Sequence, residues 1–250
     1  MIEKALEKGF SALGFTGHSY TFFDTSYCMT EDGTREYIEE IKRLREKYRN
    51  KIRIYLGLEA DYFAENINFA DYDYIIGSVH YLKIGDDFVP VDHSADCQRE
   101  TAEKYFGGFF DKYCAAYYSL VANVAEKTHA DIIGHFDLVT KFNENDSLFP
   151  TDTPAYKASW KSAVDALLPY KLPFEINTGA IARGKRTTPY PSLEIAHYIS
   201  SKGGSLVYSS DCHNADFIDC GYEECIMRYG GCKIVDFEEI IGNRKHIYNV

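Results

Sequence analysis

Tyr74-Ile75-Ile76-Gly77-Ser78-Val79-His80 and Ile132-Ile133-Gly134-His135 are the two stretches that decide the fold. Each is a short apolar run rich in β-branched residues that stops at a histidine, the pattern of a buried strand whose end delivers a polar group. Upstream, Ala12-Leu13-Gly14-Phe15 leads through Thr16-Gly17 to His18, and Ile52-Arg53-Ile54-Tyr55-Leu56-Gly57-Leu58 stops at Glu59. Downstream, Pro173-Phe174-Glu175-Ile176-Asn177 runs into Thr178-Gly179-Ala180, and Ser205-Leu206-Val207-Tyr208-Ser209 into Ser210-Asp211-Cys212-His213.

Helical patterns fill the intervals. Residues 2–8 read as a short helix closed by Gly9, and 35–49 place Tyr37, Ile38, Ile41, Leu44, Arg45 and Tyr48 at helical spacing. Further helices are predicted over 99–127, 155–168 and 192–202. A last one over 215–229 carries Phe217, Ile218, Tyr222, Cys225, Ile226 and Tyr229 as core positions. Alternating strands and helices imply an α/β fold with a mainly parallel sheet, and no linker or charge block divides the chain, so residues 1–250 are expected to form one domain. Segments 60–72, 83–98 and 140–154 read as long loops.

Composition narrows the function classes. The 250 residues are 45% hydrophobic and 26% charged, which fits a folded globular protein rather than a disordered chain. Lys+Arg 27 against Asp+Glu 38 gives a net charge of −11, so neither nucleic acid nor an anionic membrane is an expected partner. No apolar run reaches membrane-spanning length, and Met1-Ile2-Glu3-Lys4-Ala5-Leu6-Glu7-Lys8 lacks the apolar stretch of a signal peptide, which points to the cytoplasm. The seven cysteines are scattered with no CxxC pair, as expected for reduced thiols; Cys212 reads as packing rather than as a nucleophile.

Six residues with the chemistry of metal ligands, His18, Glu59, His80, His135, Asp211 and His213, fall just after the ends of five different predicted strands. One such residue alone means little, since a lone histidine is more often structural. A parallel barrel, however, gathers its strand ends on one face, where active sites of that architecture form. Imidazole and carboxylate together suit Zn²⁺, Mn²⁺ or Fe²⁺, and Glu59 is the candidate to bridge two ions. His93, His129, His197 and His246 lack this placement and read as structural or surface residues.

Ala180-Ile181-Ala182-Arg183-Gly184-Lys185-Arg186 is a local basic segment in an acidic chain, following the strand through Asn177. Arg183 is read as a phosphate clamp, because a guanidinium offers paired hydrogen bonds to phosphate oxygens. No P-loop, dinucleotide fingerprint or nucleophile elbow is present, which leaves metal-activated water as the nucleophile.

The motifs Gly14-Phe15-Thr16-Gly17-His18-Ser19, Gly57-Leu58-Glu59-Ala60-Asp61, Ile76-Gly77-Ser78-Val79-His80-Tyr81, Ile133-Gly134-His135-Phe136-Asp137 and Ser210-Asp211-Cys212-His213 resemble, in this order, the polymerase-and-histidinol-phosphatase (PHP) superfamily. Glu175-Ile176-Asn177-Thr178, Arg183 and Tyr190-Pro191-Ser192 resemble its histidinol-phosphatase branch. The resemblance implies a distorted TIM-like (β/α)7 barrel with up to three divalent ions at its C-terminal face. Glu59 would bridge two ions, His80 and His135 complete one site, Asp211 serve the other, and His18 and His213 hold the third. The family's His-x-His first strand and one further ligand have no counterpart here, so the resemblance implies a barrel lacking its first strand, fewer bound ions, and an upstream segment that belongs with the chain.

The function so implied is hydrolysis of the phosphate monoester L-histidinol phosphate. Glu59, Asp211 and Arg183 are the catalytic candidates, and Arg183, Asn177, Tyr20 and Asp92 the substrate-binding ones, with Phe22 also near the mouth. The alternatives are a PHP phosphoesterase acting on another small phosphate and a truncated, non-catalytic metal-binding relative.

Overall fold

The computed structural model describes the backbone of residues 1–248 and the side chains of residues 1–242, so His246 lies outside the described side chains. Six parallel strands form the main sheet: β1 (Ala12–His18), β2 (Arg53–Asp61), β3 (Tyr74–Ser78), β6 (Ile132–Ile133), β7 (Phe174–Asn177) and β8 (Leu206–Ser209), in the order β1-β2-β3-β6-β7-β8. A second, antiparallel pair, β4 (Tyr81–Ile84) and β5 (Asp87–Pro90), occupies part of the segment expected as a loop over 83–98. Gly85, at φ +63°, makes the tight turn between them, and its left-handed backbone is what a two-residue hairpin connection requires.

The helices are α1 (Ile2–Glu7), α2 (Glu31–Tyr48), α3 (Ala95–Phe106), α4 (Phe110–Val121), α5 (Val124–Thr128), α6 (Pro154–Leu167), α7 (Gly179–Ala182), α8 (Leu193–Ser201), α9 (Tyr222–Arg228) and α10 (Phe237–Tyr248). The continuous helix expected over 99–127 is three helices. Gly107 and Gly108, at φ +64° and +80°, end α3 in the left-handed conformation that glycine adopts without steric cost. The predicted helix over 215–229 shrinks to α9. Ile218, Cys225 and Tyr229 are buried, as expected of core positions, whereas Phe217, Tyr222 and Ile226 are exposed.

The parallel strands make a half-barrel, the curved α/β sheet of a distorted TIM-like barrel. On the outer face the strands alternate apolar residues against the helices: Ile54, Leu56 and Leu58 of β2 pack with Ile41 and Tyr48 of α2. Ile133, Phe174, Ile176 and Leu206 pack with Tyr113 and Tyr117 of α4, Trp160 and Val164 of α6, and Ile199 of α8. The complementary set points inward, as the two-residue period of a strand dictates. At its N-terminal end this inner face is apolar, with Tyr74, Ile76, Ile132 and Val207 clustered against Ile240 and Ile241. Tyr74 fills the interior where Gly14 and Gly57 leave room; a Cβ at either would come within 2.9 Å of its ring.

β1 and β8 are the two edges of the sheet and do not pair with each other. Between them lies a cleft of about 680 Å³, lined by Leu13, Phe15, Tyr74, Val207, Tyr208 and Phe237 among others. Among the described residues no helix is long and apolar enough to cross a membrane, and all seven cysteines are unpaired.

Candidate metal and phosphate centre

The inward-facing series of each strand changes from apolar to polar as it nears the C-terminal end. On β2 the inner face runs Tyr55, Gly57, Glu59, Asp61, so Glu59 lies inside the strand, two residues short of its end, and not just beyond it as the sequence suggested. On β3 it runs Tyr74, Ile76, Ser78 and then His80. β1 ends on His18, β6 is followed by His135, and β8 by Asp211 and His213. All six proposed ligands line one cavity of about 320 Å³, together with Asp92, Asn177 and Arg183.

Glu59 sits at its centre, buried. Its Oε1 lies 2.9 Å from His135 Nε2 and 3.3 Å from His80 Nε2, and accepts a 2.8 Å hydrogen bond from Ser78 Oγ. Its Oε2 faces the other way, 3.1 Å from His18 Nδ1. Ligand atoms of His18, Glu59 and His80 all lie within 4.8 Å of one another. His18 Nδ1, though close to the carboxylate, is buried with no hydrogen-bond partner. A divalent ion accepting both lone pairs fits this arrangement, and the mixed imidazole and carboxylate set suits a first-row transition ion or Zn²⁺.

Burial raises the proton affinity of the Glu59 carboxyl, but the His18 charge and the hydrogen bonds of His135 and His80 more than offset it, and its pKa falls well below the usual carboxylate range. His18 is shifted down, chiefly by burial, with Glu59 partly opposing. His80 is shifted well up: burial works against the charged ring, and hydrogen bonds to Asp61 and Glu59 outweigh it.

Asp61 was not singled out as a site residue from the sequence. Its Oδ2 accepts from the His80 backbone N–H at 3.1 Å and lies 3.1 Å from His80 Nδ1, while its own N–H donates to Ser19 Oγ. A carboxylate only accepts, so His80 Nδ1 carries a proton toward Asp61, and Nε2, on the Glu59 side, is the nitrogen left to bind an ion in place of its own proton. The signal was the period of β2: with the strand continued through Asp61, Glu59 and Asp61 share one face. Glu175 plays a similar part, accepting from the His135 N–H at 2.8 Å and from Asn177 Nδ2 at 3.0 Å, with burial raising its pKa.

The second half of the centre gathers around Asp211, whose φ of +42° is in the left-handed region that non-glycine residues rarely adopt. Gly179 makes room for it: a Cβ there would stand 2.8 Å from Asp211 Cγ and from its backbone oxygen. Arg183 donates from Nη2 to Asp211 Oδ2 at 3.1 Å, and its Nη1 lies 2.8 Å from His213 Nδ1. Arg186, by contrast, is spent on the Thr140 backbone oxygen and hydroxyl and on Thr188. Lys185 does not line the cavity.

The substrate-side candidates divide. Asp92 lines the cavity but already holds Lys141 Nζ at 2.8 Å. Asn177 lines it too, with its amide committed to Glu175 and to the Gly179 N–H, so it positions neighbours. Tyr20 is not among the lining residues; Asp24 and Tyr27, from the same loop, are. Phe22, 55% exposed, packs edge-on against Phe23 and Phe88. Phe23 stacks on Phe88 of β5 with ring centroids 3.9 Å apart, and Tyr81 donates to Asp24 at 2.6 Å, which fixes the loop after β1 against the β4–β5 hairpin as one wall of the cavity.

Comparison with known proteins agrees with this architecture. The fold resembles that of HisK from Listeria monocytogenes, with a TM-score of 0.77 and 21% identity covering 90% of this chain and 92% of that one. It also resembles a histidinol phosphate phosphatase from Lactococcus lactis solved with zinc, L-histidinol and phosphate, with a TM-score of 0.63 and 20% identity over 94% and 87% of the two chains. A probable histidinol-phosphatase of Deinococcus radiodurans is 31% identical, over 94% of this chain and 88% of its own length. The PHP domain model matches residues 1–179, most of the chain and the segment that carries His18, Glu59, His80 and His135; the protein therefore belongs to the PHP domain family.

Proposed function

We propose that the chain is a metal-dependent phosphomonoesterase that hydrolyses L-histidinol phosphate to L-histidinol and phosphate, as one domain over residues 1–250 acting in the cytoplasm. The observation that carries this reading is the placement of His18, Glu59, His80, His135, Asp211 and His213 with Arg183 around one cavity. The names of the Deinococcus and Lactococcus relatives support the choice of substrate. The net charge of −11 disfavours nucleic acid as an alternative phosphate ester.

In this reading His18, Glu59, His80, His135, Asp211 and His213 would hold divalent ions, Zn²⁺, Mn²⁺ or Fe²⁺. The ions supply Lewis-acid stabilisation of the phosphoryl oxygens and a water of lowered pKa. The chain's own part is to aim and to neutralise. Asp61 holds the His80 tautomer, Glu175 and Ser78 fix His135 and Glu59, and Arg183 places a permanent positive charge beside Asp211, where charge develops on phosphoryl transfer. Tyr27, Tyr81 and Tyr190 line the cavity and restrict water around the ester.

Phosphate release from L-histidinol phosphate, compared with other small phosphomonoesters in the presence of each metal, tests the proposal. Preferential turnover of histidinol phosphate is expected. Equal or better turnover of unrelated monoesters would leave a phosphoesterase of different selectivity, and no turnover of any ester would leave a non-catalytic metal-binding protein.

A further inference from the structure

Lys141 has no role in the chemistry described above, yet it lines the cavity. Its side chain is only 15% exposed, which is rare for a lysine and is accounted for by the 2.8 Å ion pair with Asp92 Oδ2. An ammonium group has three N–H donors, and among the described residues Asp92 is the one acceptor bonded to Lys141 Nζ. The remaining donors belong to a cation pinned inside a small polar cavity. Lys141 and Asp92 line the same cavity as Glu59, His80, His135 and Arg183, while Arg183 is engaged with Asp211 and His213.

We infer that Lys141 is a second cationic contact for the phosphoryl group beside Arg183, with Asp92 as the positioning residue that holds the ammonium in place. This rests on the phosphomonoesterase reading. A lysine is a flexible point charge that pays conformational entropy to be fixed, and the ion pair fixes it before substrate arrives. The same pairing argues against Asp92 as the acceptor for a substrate amine, since a second cation would be driven against Lys141.

The test measures inorganic phosphate binding to the Zn²⁺-loaded protein by ³¹P NMR, alongside KM and kcat for L-histidinol phosphate. Lys141→Met is expected to weaken phosphate binding and raise KM by about ten- to a hundredfold, the loss of one charged hydrogen bond, with metal content unchanged. Lys141→Arg should restore most of the phosphate binding. Because Lys141→Met leaves Asp92 unpaired, the double variant Lys141→Met/Asp92→Asn serves as the charge-balanced control and should bind phosphate as weakly as Lys141→Met. If either methionine variant is folded and metal-loaded and binds phosphate as tightly as the parent, Lys141 merely neutralises Asp92 and the inference is wrong. If phosphate binding falls in the variants but the parent does not turn over histidinol phosphate, the contact stands and the substrate assignment fails.

Discussion

His18 and Glu59 are register partners on adjacent parallel strands, and the His18 ring nitrogen lies 3.1 Å from the Glu59 carboxylate. The first two elements of the centre are thus aligned by backbone hydrogen bonding between β1 and β2 before any ion is considered. Glu59 then turns its other oxygen to His80 and His135, contributed by β3 and β6.

That two-sided arrangement makes Glu59→Gln more damaging to metal content than His213→Ala. The amide removes the negative charge from both of the groups that Glu59 joins, whereas His213 is 58% exposed at the rim. Elemental analysis of the purified variants checks this, and parental metal content in Glu59→Gln would remove the bridging role.

Arg183→Ala is expected to lower turnover of phosphate esters by about one to two decades, the cost of a lost charged hydrogen bond of roughly 1.5–3 kcal/mol, while bound metal changes little. Lys185→Ala is the suitable control. Arg186 is not, because its bonds to Thr140 and Thr188 tie two loops together, so Arg186→Ala should lower thermal stability as well as activity. Steady-state kinetics and melting curves on the three variants separate these effects.

Gly179→Ala tests the left-handed Asp211. The new methyl group meets the Asp211 carboxylate and also its backbone oxygen, which no side-chain rotation relieves, so Asp211 must move. Metal content and activity should fall together, with far-UV circular dichroism retained. Unchanged metal content would show that Asp211 is not a ligand.

Asp61→Asn addresses pH. Asp61 raises the pKa of His80, so a proton competes with the ion for that ring up to a higher pH than for an ordinary imidazole. Removing the carboxylate lowers the His80 pKa, so the pH at which log Kd for the metal bends upward on acidification should move to lower pH. At alkaline pH the variant should bind about 10–100-fold more weakly, because the ring loses the partner that orients it. A bend that moves to higher pH contradicts the assignment.

Much of this was legible in the sequence because strand ends and the two-residue period are written in apolar spacing. The runs ending at His18, His80, His135 and Asp211 are strands, and their polar termini meet. What escaped was set by tertiary packing. β2 was stopped at Glu59, although it continues through Asp61, because Ala60-Asp61 lacks the β-branched signature that marks its start. Lys141 fell in a segment read as loop, and nothing local to residue 141 announces a partner at residue 92. Tyr20 and Phe22 have suitable chemistry near the mouth, but the direction of an irregular segment has no period to read, and Tyr27 and Asp24 line the cavity instead.

The stacked Phe23 and Phe88 rings join two surface segments that take no part in the main sheet, and these form one wall of the cavity, with Tyr27 packed against His18. In the function proposed above, this wall would meet what is attached to the phosphate while the strand ends handle the phosphate itself. Exchange of residues in the loop after β1 or in the hairpin can reshape the space for a leaving group while β1, β2, β3 and β6 keep their register. A scaffold divided in this way lets selectivity drift among related esters without rebuilding the centre that cleaves them.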